Sequence, residues 1–147
     1  MAMGTTTDGG GVVYGAVAAE HLEHPRNLGK LADANGVGRV DEPATDTLVT
    51  VYLKLGCDRD GRRVVTEARF RAFGCGGCIV AGSIAPELAG GLPLAEVSRL
   101  DSPTILRALE DGLPPDQRYC ADLTARAVRS AAEAAAGRST GSGGSSG

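Results

Sequence analysis

The sequence predicts an α+β domain with helices packed on one face of an antiparallel sheet, and three observations carry that prediction. Two alternating stretches, Leu48–Leu55 and Arg63–Phe73, flank a polar turn that ends in Asp60-Gly61, the pattern of a β-hairpin. From Gly74 onward the apolar spacing becomes helical. The 147 residues are 42% hydrophobic and 22% charged, enough for a single domain with a buried core. With three Tyr, two Phe and no Trp, that core must be built from Ala, Val, Leu and Ile.

The elements follow in chain order. Residues 1–11 hold three consecutive Thr and three consecutive Gly, and residues 137–147 form a Gly/Ser tract. Both read as flexible coil, which leaves residues 12–136 as the folded domain. A short helix is expected from Val12 to Leu22, with Val13 and Val17 on one face. It must stop before Pro25, because a residue preceding proline is pushed out of helical geometry. The stretch through Asn35-Gly36-Val37-Gly38 reads as loop or short strand.

In the first hairpin strand Val49, Val51, Leu53 and Leu55 alternate with Thr50, Tyr52 and Lys54, so one face is buried. On the return strand Val64, Ala68, Phe70 and Ala72 oppose Glu67, Arg69 and Arg71. Next, Ile79, Val80, Ile84 and Leu88 define a helix that contains Pro86. An interior proline costs about 3 kcal/mol, so a kink or break is expected there. Short helices follow at Pro93–Leu100 and Pro103–Leu109, with Asp101 or Ser102 available as a cap. The last helix starts near Asp116 and continues to about Ala136. Asp122, Arg126, Arg129 and Glu133 form its charged stripe, opposite Cys120, Leu123, Ala127 and Ala131.

Charge and hydropathy exclude two partner classes. A net charge of −3 argues against nucleic acid held through its phosphates. No apolar run approaches the length of a membrane span, and the N-terminus lacks the basic and apolar regions of a signal peptide. The expected setting is cytoplasmic. In a reducing compartment four cysteines point to metal binding or thiol chemistry rather than to a disulfide framework.

Two of these cysteines, Cys75 and Cys120, fall at junctions into helices, where unpaired N–H groups and the dipole favour a thiolate. The pair Cys75 and Cys78 by itself is open among zinc ligand, redox pair and coincidence. A thioredoxin-like role is disfavoured because an antiparallel hairpin precedes the motif, and the spacing matches no zinc finger or ribbon. Cys57, in a polar turn, is assigned no function.

Four blocks of sequence then add a resemblance. Tyr14 through Gly29, ending Glu20-His21-Leu22-Glu23-His24-Pro25-Arg26-Asn27-Leu28-Gly29, is similar to the N-terminal signature of the U-type iron–sulfur cluster scaffold proteins, the IscU/NifU N-terminal family. Val51-Tyr52-Leu53-Lys54, Phe73-Gly74-Cys75-Gly76, and Leu113-Pro114-Pro115 ahead of Cys120 follow in the family order, covering roughly residues 13–136. The resemblance implies a small three-stranded antiparallel sheet packed with four to five helices. It implies a carrier, not an enzyme, that assembles a transient [2Fe–2S] cluster, or holds iron or zinc, on cysteines at one exposed end. Sulfur would come from a cysteine desulfurase, and the cluster would pass to an apoprotein; a homo-oligomer is compatible with this.

The chain departs from the family pattern at the site itself. Thr45 stands where the first family cysteine is expected, Thr47 where the aspartate is, and Tyr119 where a histidine precedes the last cysteine. Leu113-Pro114-Pro115 continues as Asp116-Gln117 instead of Val-Lys, which argues against an Hsp70-type chaperone as reader. Cys78 lies outside the usual pattern, one helical turn from Cys75. It either restores a third thiolate beside Cys75 and Cys120 or packs in the helix. Asp46 is the candidate fourth ligand, His21 a structural residue of the first helix, and His24 a loop residue.

Overall fold

The computed structural model describes residues 5–8 and 12–139. β1 (Thr5–Asp8) and β2 (Val12–Gly15) form an antiparallel ribbon ahead of α1 (Ala16–Glu23). The first helix therefore begins at Ala16 rather than Val12, because Val-Val-Tyr is a β-favouring run and is paired as a strand. Pairing also reaches Thr5–Asp8, inside the segment expected to be coil; residues 1–4, 9–11 and the tail beyond 139 lie outside the described residues. The helix ends before His24-Pro25, as expected.

β3 (Gly36–Glu42), β4 (Thr47–Cys57) and β5 (Arg63–Phe73) form one antiparallel sheet in that order. The Asn35–Gly38 stretch thus opens a seven-residue strand. Its inward glycines have a packing reason. A Cβ on Gly38 would strike the Ala127 carbonyl and the Ala131 backbone, and one on Gly36 would strike the Ala131 carbonyl and Ala135. Those alanines recur every turn along α5 (Tyr119–Ser139), and all three are fully buried. Backbone nearness thus closes a core that has few aromatic rings to fill it.

β4 buries Val49, Val51 and Leu53 as the alternation predicts. The register with β5 then shifts between Lys54 and Leu55: Lys54 faces Glu67 but Leu55 faces Val65. The bulge at Thr66 reverses the alternation beyond it, so Val65 is buried and not the expected Val64.

α2 (Gly76–Ala89) packs on β5, and α5 packs on β3 and β4, so both helices cover the same face of the sheet. The break expected at Pro86 does not occur. The proline sits in the last turn, where few hydrogen bonds remain to be lost, and the Gly90 N–H still donates to its carbonyl at 2.9 Å. α3 (Leu94–Val97) and α4 (Ser102–Ala108) follow. Asp101 caps α4 by accepting from the Thr104 N–H at 3.2 Å. A 3-10 turn at Pro115–Gln117 occupies the expected start of the last helix, and α5 proper begins at Tyr119.

Candidate metal centre

Three cysteines reach one point from two segments of chain. Cys75 is the extended N-cap of α2, and its carbonyl accepts from the Cys78 N–H at 3.0 Å, so both side chains belong to the first turn. Cys120 lies in the first turn of α5. Its Sγ is 3.2 Å from that of Cys75 and 2.9 Å from that of Cys78. All four cysteines are free thiols, and these separations are well beyond the roughly 2.05 Å of a disulfide. The three Sγ atoms lie within 4.8 Å of one another, which fits a shared ion with metal–sulfur distances of about 2.3 Å. Cys78 and Cys120 are fully buried, whereas Cys75 is half-buried, so solvent reaches the group at Cys75. Cys57 is exposed and outside the group.

The sulfurs divide one negative charge among them. The hydrogen bond from Cys120, helped by Cys78 and Tyr119, holds Cys75 down at about 2 against the opposing effect of burial. Cys120 is pushed up, first by its bond to Cys75, then by Cys78 and burial. At Cys78 the bond with Cys120 favours the thiolate, but the bond with Cys75, burial and the Cys75 charge outweigh it, and the thiol rises to about 12. One thiolate with two thiols donating around it is a soft donor set that releases protons when a cation takes their place.

The backbone that presents Cys75 and Cys78 is clamped by residues whose sequence gives no sign of the role. Gln117 is buried, and its Oε1 accepts from the Gly77 N–H at 2.7 Å and from the Tyr14 hydroxyl at 2.9 Å. An orphan donor of the α2 N-terminus is thereby capped from a segment 40 residues away. A Cβ on Gly77 would lie 2.8 Å from Gln117 Oε1 and 3.2 Å from Cys120 Sγ, so only glycine leaves room for both.

A chain of hydroxyls borders the sulfurs. Tyr119 Oη is 3.6 Å from Cys75 Sγ and is hydrogen-bonded to Thr47. Thr45 Oγ1 donates to Thr47 Oγ1 at 2.9 Å, and Thr47 Oγ1 donates to the Thr45 carbonyl at 3.1 Å. The bond to Thr47 favours the Tyr119 phenolate, but Cys75, burial and the sulfur charges prevail and raise the phenol to about 12. These are the three positions where the sequence substitutes the family's cysteine, aspartate and histidine. Asp46 does not join them. It is exposed in a left-handed conformation (φ 56°), and its carboxylate is not part of the metal-capable group. Strand alternation explains this: Thr47 begins β4 and points inward, and Asp46 is the turn residue before it.

A second polar cluster lies farther along α2. His21 Nδ1 is 2.7 Å from Ser83 Oγ, which accepts from the Arg26 N–H at 2.8 Å. The Arg26 guanidinium lies 3.2 Å from the imidazole nitrogens and 2.8 Å from Glu20. His24 is exposed in the following loop, 3.9 Å from Glu20. The cluster ties α1 to α2 and holds no cysteine.

Comparison with known proteins gives consistent results. The family described as NifU-like N terminal domain matches residues 13–141. The iron–sulfur cluster assembly scaffold protein IscU 1 of Archaeoglobus fulgidus is 35% identical over 119 residues, covering 81% of this chain and 74% of that protein. The IscU scaffold protein of Haemophilus influenzae is 31% identical over 123 residues, covering 82% and 93%. A crystal structure from Fervidobacterium islandicum, of a candidate scaffold protein for the SUF system, superposes with a TM-score of 0.59 at 16% identity, covering 81% of this chain and 96% of that one. It shares the fold.

Proposed function

Because the chain belongs to the NifU-like N-terminal domain family, we propose that it is an iron–sulfur cluster assembly scaffold whose cargo rests on the thiolates of Cys75, Cys78 and Cys120. It is a carrier and not a catalyst. The observation that carries the assignment is the convergence of three Sγ atoms within 4.8 Å at two helix N-termini. The cargo is iron or a [2Fe–2S] cluster. Cys75, half-buried and ionised, receives it from solvent; Cys78 and Cys120 close around it from inside.

A [2Fe–2S] cluster takes four protein ligands. Three come from the cysteines, and Tyr119 Oη, 3.6 Å from Cys75 Sγ, is an oxygen donor already beside them. A cysteine desulfurase supplies the sulfur, and a recipient apoprotein accepts the product, in the cytoplasm. Among the described residues no helix is long and apolar enough to cross a membrane. Leu113 and Pro114 are buried, which supports a role without an Hsp70-type chaperone at that segment.

One observation favours a second reading, a zinc-stabilised sulfur acceptor: the sulfurs lie close enough together to share a single ion. Anaerobic purification, reconstitution with iron and sulfide, visible absorption and metal analysis separate the two. Charge-transfer bands that disappear in Cys75→Ala and Cys120→Ala establish the scaffold. Stoichiometric zinc without colour establishes the acceptor. With neither metal bound, the domain is a metal-free interaction module.

A further inference from the structure

The sheet face that α2 and α5 leave uncovered carries an unusual combination of side chains. Val37 and Phe73 are 47% and 59% exposed, among the most exposed large apolar residues described. Tyr52 stands beside Val37 across the β3–β4 pairing. These residues line a depression of about 330 Å³ together with Lys30, Arg39 and Arg71. Arg39 and Arg71 flank Thr50 in a single cross-strand row, so two strand spacings, about 10 Å, separate their backbones.

No carboxylate lines the depression, and neither arginine nor Lys30 has an ion pair in the structure. The other arginines of the outer surface behave differently: Arg69 bonds to Glu67 at 2.8 Å and Arg62 to Asp58 at 3.3 Å. In a chain of net charge −3, three unneutralised cations around an apolar floor form a local field of the opposite sign. The depression also reaches the metal centre along the chain. Phe73 is two residues before Cys75, and its cross-strand partner Leu48 follows Thr47.

We propose that this outer sheet face is the docking seat for the partner protein that exchanges cargo with the cysteines, and that the partner meets it with an acidic segment bearing apolar side chains. The identity of the exchanged cargo rests on the scaffold function above; the seat itself rests on charge complementarity. Carboxylates of the partner pair with Arg39, Arg71 and Lys30, and its apolar side chains cover Val37 and Phe73. Cations at such a rim govern the association rate and its salt dependence.

The test uses the full chain and two short fluorescein-labelled peptides, one alternating Asp and Glu with Phe and Leu, the other with Lys in place of the acids. The expected result is salt-sensitive anisotropy binding of the acidic peptide alone, weakened about tenfold or more in Arg39→Glu/Arg71→Glu. Phe73→Ser should weaken it at high salt too, and zinc and iron content should be unchanged in both variants. Equal binding of the basic peptide, or an affinity indifferent to the charge reversal, overturns the proposal. So does sedimentation showing that a second copy of the chain occupies the face. A wild-type chain that binds the acidic peptide but no metal would instead overturn the scaffold function and leave the acidic seat standing.

Discussion

Cys78 and Ser83 are both fully buried on α2, each within a polar cluster, yet the two clusters are closed in different ways. Around Ser83 every polar group meets its complement: imidazole to hydroxyl, backbone N–H to the same hydroxyl, guanidinium to Glu20. Around Cys78 like meets like. Three sulfurs contact one another, weak donors against weak acceptors, with one charge among them. The first arrangement is complete without a ligand and holds two helices together. The second becomes complete when a cation replaces the shared protons. Burial and polarity do not by themselves mark a functional site; an unfilled demand for positive charge does.

The largest expected effect tests that contrast. Removing one sulfur by Cys75→Ala, Cys78→Ala or Cys120→Ala should lower metal affinity by about a hundredfold or more, measured by competition with a chromophoric chelator. Cys78→Ala should cost about as much as Cys120→Ala; unchanged metal content in that variant would make Cys78 a packing residue and dissolve the contrast.

Proton linkage sharpens it further. Cys75 is already ionised, while Cys78 at about 12 and Cys120, pushed up as well, keep their protons at neutral pH. Binding an ion to all three should release about two protons, so affinity should rise about a hundredfold per pH unit near neutrality. Calorimetry in buffers of different ionisation enthalpy counts the released protons directly.

Smaller effects belong to the groups that hold the two clusters in place. Gln117→Ala leaves the Gly77 N–H and the Tyr14 hydroxyl without their shared acceptor, a loss of about 1–3 kcal/mol in chemical denaturation. Metal affinity should fall as well, because the α2 N-terminus is released.

The last effect concerns His21, whose pKa burial lowers, with Arg26 adding to the shift. The unfolded chain takes up its proton near pH 6.5, before the folded chain does. Stability should therefore be flat above that value and fall as pH drops through it, until the folded-state pKa is also passed. His21→Gln should flatten this slope in thermal melts and leave metal binding alone; a change in metal content would show the clusters to be coupled.

Much of the fold and part of the site were legible in the chain. The hairpin, the buried stripe of α5 and the Asp101 cap follow from local periodicity and local hydrogen bonding, which a linear reading contains. The inward face of β5 beyond the bulge was misread, because one extra residue at Thr66 reverses every later side chain without any change in composition. Cys75 and Cys120 were legible as thiols at helix starts. Gln117 was not, since a glutamine in a polar turn has no signature of the distant N–H it caps.

The sequence alone determined the α+β class, the family blocks and the identity of the sulfur donors, because these depend on residue type and on spacings within a few turns. Tertiary structure decided that Cys78 meets Cys120 from 42 positions away, that Asp46 stays out, and that Thr45, Thr47 and Tyr119 form a hydroxyl border. Such contacts are set by how α2 and α5 lie on the sheet, and that placement rests on two glycines and an alanine stripe that let backbones touch.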